Sequence, residues 1–210
     1  DDELPAAPAY MAPLGTETLE YLAGYSLTYT DVDDPRSPSE GYAFNFSQQY
    51  SGGDFNILRT EAKASYYQPI LPDEGVIGIL KAQAGVVNDL SGGGDVHPTK
   101  TFTATSSIIR GFKGRSFGPQ HASGNALGFT EYLALTAEVE FPLPVLPENY
   151  GLKGAVWADA AYLGHDSLSV AISDGIGQQL RTSVGASILW DSPFGPLRGD
   201  FAHVIDKDTA

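Results

Sequence analysis

Eight long stretches in which apolar and polar residues alternate with a period of two constrain this chain most, because such a pattern gives a strand one apolar and one wet face. They run over about 18–30, 42–50, 55–70, 76–87, 127–141, 151–163, 181–190 and 197–205. In the fifth, Leu133, Leu135, Ala137, Val139 and Phe141 oppose Thr136, Glu138 and Glu140. In the sixth, Val156, Ala158, Ala160 and Tyr162 oppose Trp157 and Asp159, and in the seventh Val184, Ala186, Ile188 and Trp190 oppose Ser183, Gly185 and Ser187. The breaks are turn sequences such as Asp33-Asp34-Pro35 and Ser192-Pro193-Phe194-Gly195-Pro196, in which proline sets φ and short polar side chains bond back to the backbone. No stretch reads as a convincing helix.

Alternation alone fits a water-soluble sandwich as well as a membrane barrel. Three features favour lipid. The stretches often exceed the ~5–6 residues usual in soluble sheets. Tyrosines and a tryptophan sit near the ends of the apolar faces, and the charges sit almost entirely on the opposite faces. The connections also alternate, compact at one end and longer at the other, as in an antiparallel transmembrane β-barrel. Strand period then predicts Leu133, Leu135, Val139, Val184, Ile188 and Phe201 towards lipid, and Lys81, Gln83, Glu138, Glu140, Asp159, Arg198 and Asp200 towards the lumen.

Composition excludes several function classes. A net charge of −14 leaves no basic stripe to neutralise phosphates, so nucleic acid is not a partner. The absence of cysteine removes disulfides, thiolate metal sites and thiol nucleophiles. His97, His121, His165 and His203 are scattered, with neither a His-Glu-x-x-His nor a Gly-x-Ser-x-Gly pattern, so the chain does not read as an enzyme, a barrel phospholipase being the sharpest alternative of that class. Asp31, Asp33 and Asp34 lack the rest of an EF-hand loop and read as a turn. No cofactor or metal site is expected. Residues 1–17 read as a loop without the basic and apolar regions of a signal peptide, as in a mature chain or a piece of a longer one.

A Gly- and Ser-rich segment from about 89 to 126 interrupts the strands, and loops that long in compact β structure are usually functional or disordered. Within it, Ile109-Arg110-Gly111-Phe112 sets a permanent cation beside a residue free to take positive φ, between two bulky apolar residues. Taken alone, the triplet reads as a solvated loop. The carboxylates on the inner faces of the following strands point instead to a loop folded into the lumen, with Arg110 paired to Glu140, Asp159 or both.

With the strands placed, the chain resembles the BamA family of outer-membrane protein assembly factors (bacterial surface antigen barrel domain), in an alphaproteobacterial-like form. The resemblance is carried by Ile109-Arg110-Gly111-Phe112, by Ala137-Glu138-Val139-Glu140-Phe141-Pro142-Leu143-Pro144, by Gly154-Ala155-Val156-Trp157-Ala158-Asp159-Ala160, and by Leu189 through Arg198. Gly24-Tyr25-Ser26-Leu27 and Tyr66-Tyr67-Gln68-Pro69-Ile70 agree more loosely. Thr105-Ser106 and Ala161 depart from the pattern, standing where relatives tend to have glycine, which touches the path of the loop.

The resemblance implies a partial barrel domain over 1–210, about eight strands of an expected sixteen. Periplasmic domains, the first strands and the closing strand would lie outside this stretch. It implies a loop inserted in the lumen with the motif at its tip, and a function in folding and inserting β-barrel proteins into the bacterial outer membrane without chemical turnover. Implied partners are outer-membrane lipids, unfolded outer-membrane proteins and accessory assembly lipoproteins. The alternative is a two-partner secretion pore or a passive porin of similar architecture.

Overall fold

The structure, a computed structural model, describes residues 19–93, 96–103, 105–112, 127–143, 151–164, 179–192 and 194–205. The expected loop over 1–17 and residues 94, 95, 104 and 113–126 of the long loop therefore lie outside the described residues. Eight strands form one antiparallel sheet in sequence order: β1 (Glu20–Val32), β2 (Gly41–Gly53), β3 (Ile57–Leu71), β4 (Val76–Asp89), β5 (Glu131–Pro142), β6 (Leu152–Gly164), β7 (Gln179–Ser192) and β8 (Gly195–Val204). Most are 13–15 residues long, enough to cross the hydrocarbon core of a bilayer even when tilted. The helical content of the described residues is two single 3-10 turns, Pro72–Glu74 and Pro98–Lys100.

The register shows the tilt. Partners across the sheet run Asp31, Tyr42, Tyr66, Leu80, Ala137, Ala158, Val184, His203. That row starts near the turn end of β1 and finishes near the opposite end of β8, the stagger that a sheet needs in order to curl into a barrel. Curvature is visible in a contact across the interior. The Lys153 ammonium at the base of β6 donates to Ser37 Oγ in the β1–β2 turn at 3.0 Å. That turn is preorganised by Asp33, whose carboxylate accepts from the Ser39 hydroxyl and from the Ser39 and Glu40 amides at 2.5–3.1 Å, bonds that hold its pKa well below the usual carboxylate range.

One face of the sheet is apolar and uncovered. Tyr25, Leu27, Phe44, Tyr66, Leu80, Leu133, Leu135, Val156, Val184, Ile188 and Phe201 are all exposed on it. An apolar patch of that extent on a curved, long-stranded sheet faces a bilayer. The buried apolar cluster lies on the other face, where Val96, Phe102, Ile108, Ile109 and Phe129 of the long loop pack on Ile57, Val87, Tyr132, Ala134, Ala161 and Leu163 of the strands. The hydrophobic core thus joins loop to wall.

Strand ends shift by up to three residues from the sequence expectation, β2 for example continuing to Gly53, and the start of the fifth shifts furthest. The fifth strand begins at Glu131, because Gly128 takes φ +78° and turns the chain inward, so that Leu127 and Phe129 are buried although the same parity faces outward in β5. Phe129 instead bridges Phe102, exchanging amide bonds at 2.8 and 3.0 Å, and Phe102 packs edge-on against Tyr132 with centroids 4.9 Å apart. The lipid assignment has a direct test. Leu135→Arg, placed in the apolar band, is expected to cost about 2–4 kcal/mol of folding stability in lipid vesicles measured by denaturant titration, whereas an unchanged midpoint would mean that this face meets water.

Candidate functional site: a guanidinium clamp at the loop tip

Parity places the even-numbered side chains of β5 and β8 and the odd-numbered ones of β6 and β7 on the inner face. Two neighbouring register rows build the site there: Glu138, Trp157, Gly185 and Ala202, then Thr136, Asp159, Ser183 and Val204. Gly185 leaves the indole its space, since a Cβ there would lie 2.4 Å from Trp157 Cζ2. Over this floor comes Arg110, its Cζ 3.7 Å from the centre of the Trp157 ring, a cation–π contact.

The guanidinium is gripped on two sides. Arg110 Nε and Nη2 donate to Asp159 Oδ2 and Oδ1 at 2.8 and 2.7 Å, and Nη1 donates to Glu138 Oε2 at 2.8 Å. The backbone joins in: Arg110 N–H donates to Asp159 Oδ2 at 3.1 Å, and Ser183 Oγ–H donates to the Arg110 carbonyl at 2.8 Å. Gly111 follows with φ +89°, and a Cβ at that position would meet Ala202 Cβ at 2.7 Å, so only glycine fits the turn against β8. Ile109 is buried and Phe112 packs against the cluster around it. Upstream, Gln83 Nε2 of β4 donates to the Ser107 carbonyl.

Glu138 is shared. Arg198 Nη1 and Nη2 donate to its two oxygens at 2.7 and 2.9 Å, while Arg198 Nε donates to Asp200 Oδ1 at 2.8 Å. Ser187 Oγ accepts from Trp157 Nε1 at 2.8 Å and from Arg198 Nη2 at 3.0 Å. Two guanidiniums therefore hold three carboxylates, and the carboxylates at the centre are almost dry, 1% exposed for Glu138 and 2% for Asp159. In such a setting the loss of one partner costs about 3–5 kcal/mol, because the survivor keeps an uncompensated charge away from water.

Glu140 does not join this clamp. Arg110 bonds Glu138 in its place, while Glu140, on the same face but about 6.6 Å further along β5, forms no hydrogen bond or ion pair among the described residues. Two carboxylates spaced by two share parity, so alternation cannot choose between them; the choice is made by Trp157, which stands opposite Glu138 and carries the guanidinium. Trp157, Arg198, Ser183 and Ser187 are further parts of the constellation that motif reading missed, although their inward parity was available. Among the described residues no group of three His, Asp or Glu side chains could hold a metal ion.

The Omp85 superfamily domain matches residues 5–209, nearly the whole chain. The chain belongs to the Omp85 superfamily. Among its relatives, the outer membrane protein assembly factor BamA of Neorickettsia risticii is 31% identical over 98% of this chain and 27% of its own length. BamA of Nitratidesulfovibrio vulgaris is 24% identical over 91% and 24%. The sheet also resembles a crystal structure of Haemophilus ducreyi BamA lacking POTRA domains 1–3, with a TM-score of 0.75 and 22% identity, covering 89% of this chain and 39% of that one. This chain thus spans about a quarter of the length of these curated relatives. As an Omp85 barrel it belongs in the bacterial outer membrane, which gives the exposed apolar face its solvent.

For an Omp85 loop held in this way the two β5 carboxylates should differ sharply. Glu138→Ala is expected to destabilise the folded barrel by about 3–5 kcal/mol and expose the loop to protease. Glu140→Gln should change either by less than about 1 kcal/mol. Equal effects would mean that the guanidinium does not choose between them.

Proposed function

We propose that this chain is the lumen-bearing part of an outer-membrane barrel that folds and inserts other β-barrel proteins, acting through shape and exposed backbone with no chemical turnover. The observation that carries the reading is the locked tip: Arg110 held by Glu138 and Asp159 over Trp157. A passive pore needs its lumen open and gains nothing from a loop bonded to its wall by a desolvated ion network. A machine whose wall must keep its form while substrate strands pair nearby does gain, because the network ties β5, β6, β7 and β8 to one rigid element. The relatives named as assembly factors support the same reading.

On this reading the partners are outer-membrane lipids, unfolded outer-membrane proteins and accessory assembly lipoproteins. The Ile109-Arg110-Gly111-Phe112 motif does not react; it positions. The second reading, a secretion pore or porin, predicts ion conductance that rises when the loop is released.

The two separate in one preparation. With the full-length protein in liposomes, folding of a barrel substrate is expected to slow about tenfold for Arg110→Ala, the effect of roughly 1.4 kcal/mol in the rate-limiting step. Unchanged substrate folding together with a large gain in conductance would instead favour the pore.

A further inference from the structure

The loop meets the wall a second time, far from its tip. Lys100 closes the 3-10 turn Pro98–Lys100, which His97 caps by accepting the Thr99 amide at its Nδ1. The Lys100 ammonium donates to both oxygens of Glu20, at 2.6 and 2.5 Å, and lies 4.4 Å from the centre of the Phe55 ring. Glu20 points inward from the first residue of β1, and its Oε1 also accepts from the Ser51 hydroxyl of β2. Carboxylate and ring thus flank one cation while the hydroxyl braces the carboxylate, with the two charged side chains only 19% and 25% exposed. The root that carries Lys100 is itself firm: Thr101 Oγ1 donates to the Leu127 carbonyl at 2.8 Å across the two legs, and Arg59 of β3 lies 4.0 Å over the Phe102 ring.

The partners of Arg110 lie on β5, β6, β7 and β8, at the other side of the sheet. We propose that Lys100 and Glu20 form a second clamp that turns the loop from a tether on one side into a strut across the interior, fixing the distance between the β1 side of the sheet and the β7 side. The β1–β2 corner is then held at both rims, by Ser37 and Lys153 at the turn end and by Lys100 and Glu20 at the loop end. The ion pair is the firmer of the two ties, since it joins opposite charges in a partly dry site whereas the other is a single hydrogen bond. Lys100 is a positioning residue, and its role is independent of whether the parent protein inserts barrels or conducts ions.

The test uses full-length protein in lipid vesicles, with spin labels at Leu19 and Leu180, both exposed and both at the loop end of their strands. Double electron–electron resonance on the otherwise unaltered protein should give one narrow distance peak. Lys100→Ala and Glu20→Gln should each lose that peak to a broad distribution, and Lys100→Arg should keep it. The doubly reversed Glu20→Lys with Lys100→Glu should recover it, which a merely local packing role would not produce. A narrow peak in folded Lys100→Ala, or a reversed pair as broad as the single variants, overturns the proposal. Should Lys100→Ala fail to fold, the reversed pair decides: recovery of folding with a narrow peak supports the clamp, and failure overturns it.

Discussion

The inner face of β5 to β8 is arranged around a guanidinium that has left water. Arg110 cannot shed its proton, so its burial requires carboxylates already in place, and Glu138 and Asp159 supply them at 2.7–2.8 Å. Those carboxylates would themselves be costly on an empty inner wall. Glu138 is tolerable because Arg198 holds its other side, and Arg198 because Asp200 and Ser187 hold it in turn. Loop and wall are therefore complementary: Arg110 of the loop is paired by Glu138 and Asp159 of the wall, and Asp159 in turn is held by Arg110 through both oxygens.

The outer face obeys a different solvent and needs no such pairing. Its leucines, valines and aromatics are stabilised by lipid, leaving the interior free to be polar, and strand period keeps the two populations apart. A one-residue slip of β5, β6 or β8 would turn Glu138, Asp159 or Asp200 towards hydrocarbon. The inner network thus helps to hold register, since Glu138 and Asp159 on adjacent strands reach one guanidinium only when Thr136 faces Asp159 and Glu138 faces Trp157.

Much of this was legible in the chain. Eight strands, their order of turns and the side each residue faces follow from alternation, because parity is a local property. What parity cannot supply is the depth at which a loop touches the wall, and so Glu138 and Glu140 stayed equivalent until Trp157 distinguished them. The inward turn at Gly128 was hidden for a similar reason: Leu127 and Phe129 continue the alternation of β5 while packing on the loop side. The Lys100–Glu20 contact spans 80 residues with no motif at either end, so it becomes visible only when the sheet is curved.

The central claim is that Arg110 and the wall carboxylates stabilise one another as a unit, and a double-mutant cycle on Arg110→Ala and Asp159→Ala measures it most directly, read as protease protection of the loop in native outer membranes. If the pair is bonded as described, the two losses are far from additive, with a coupling energy above about 1 kcal/mol. Additive losses would contradict the account, because they would place the guanidinium and the carboxylate in separate environments.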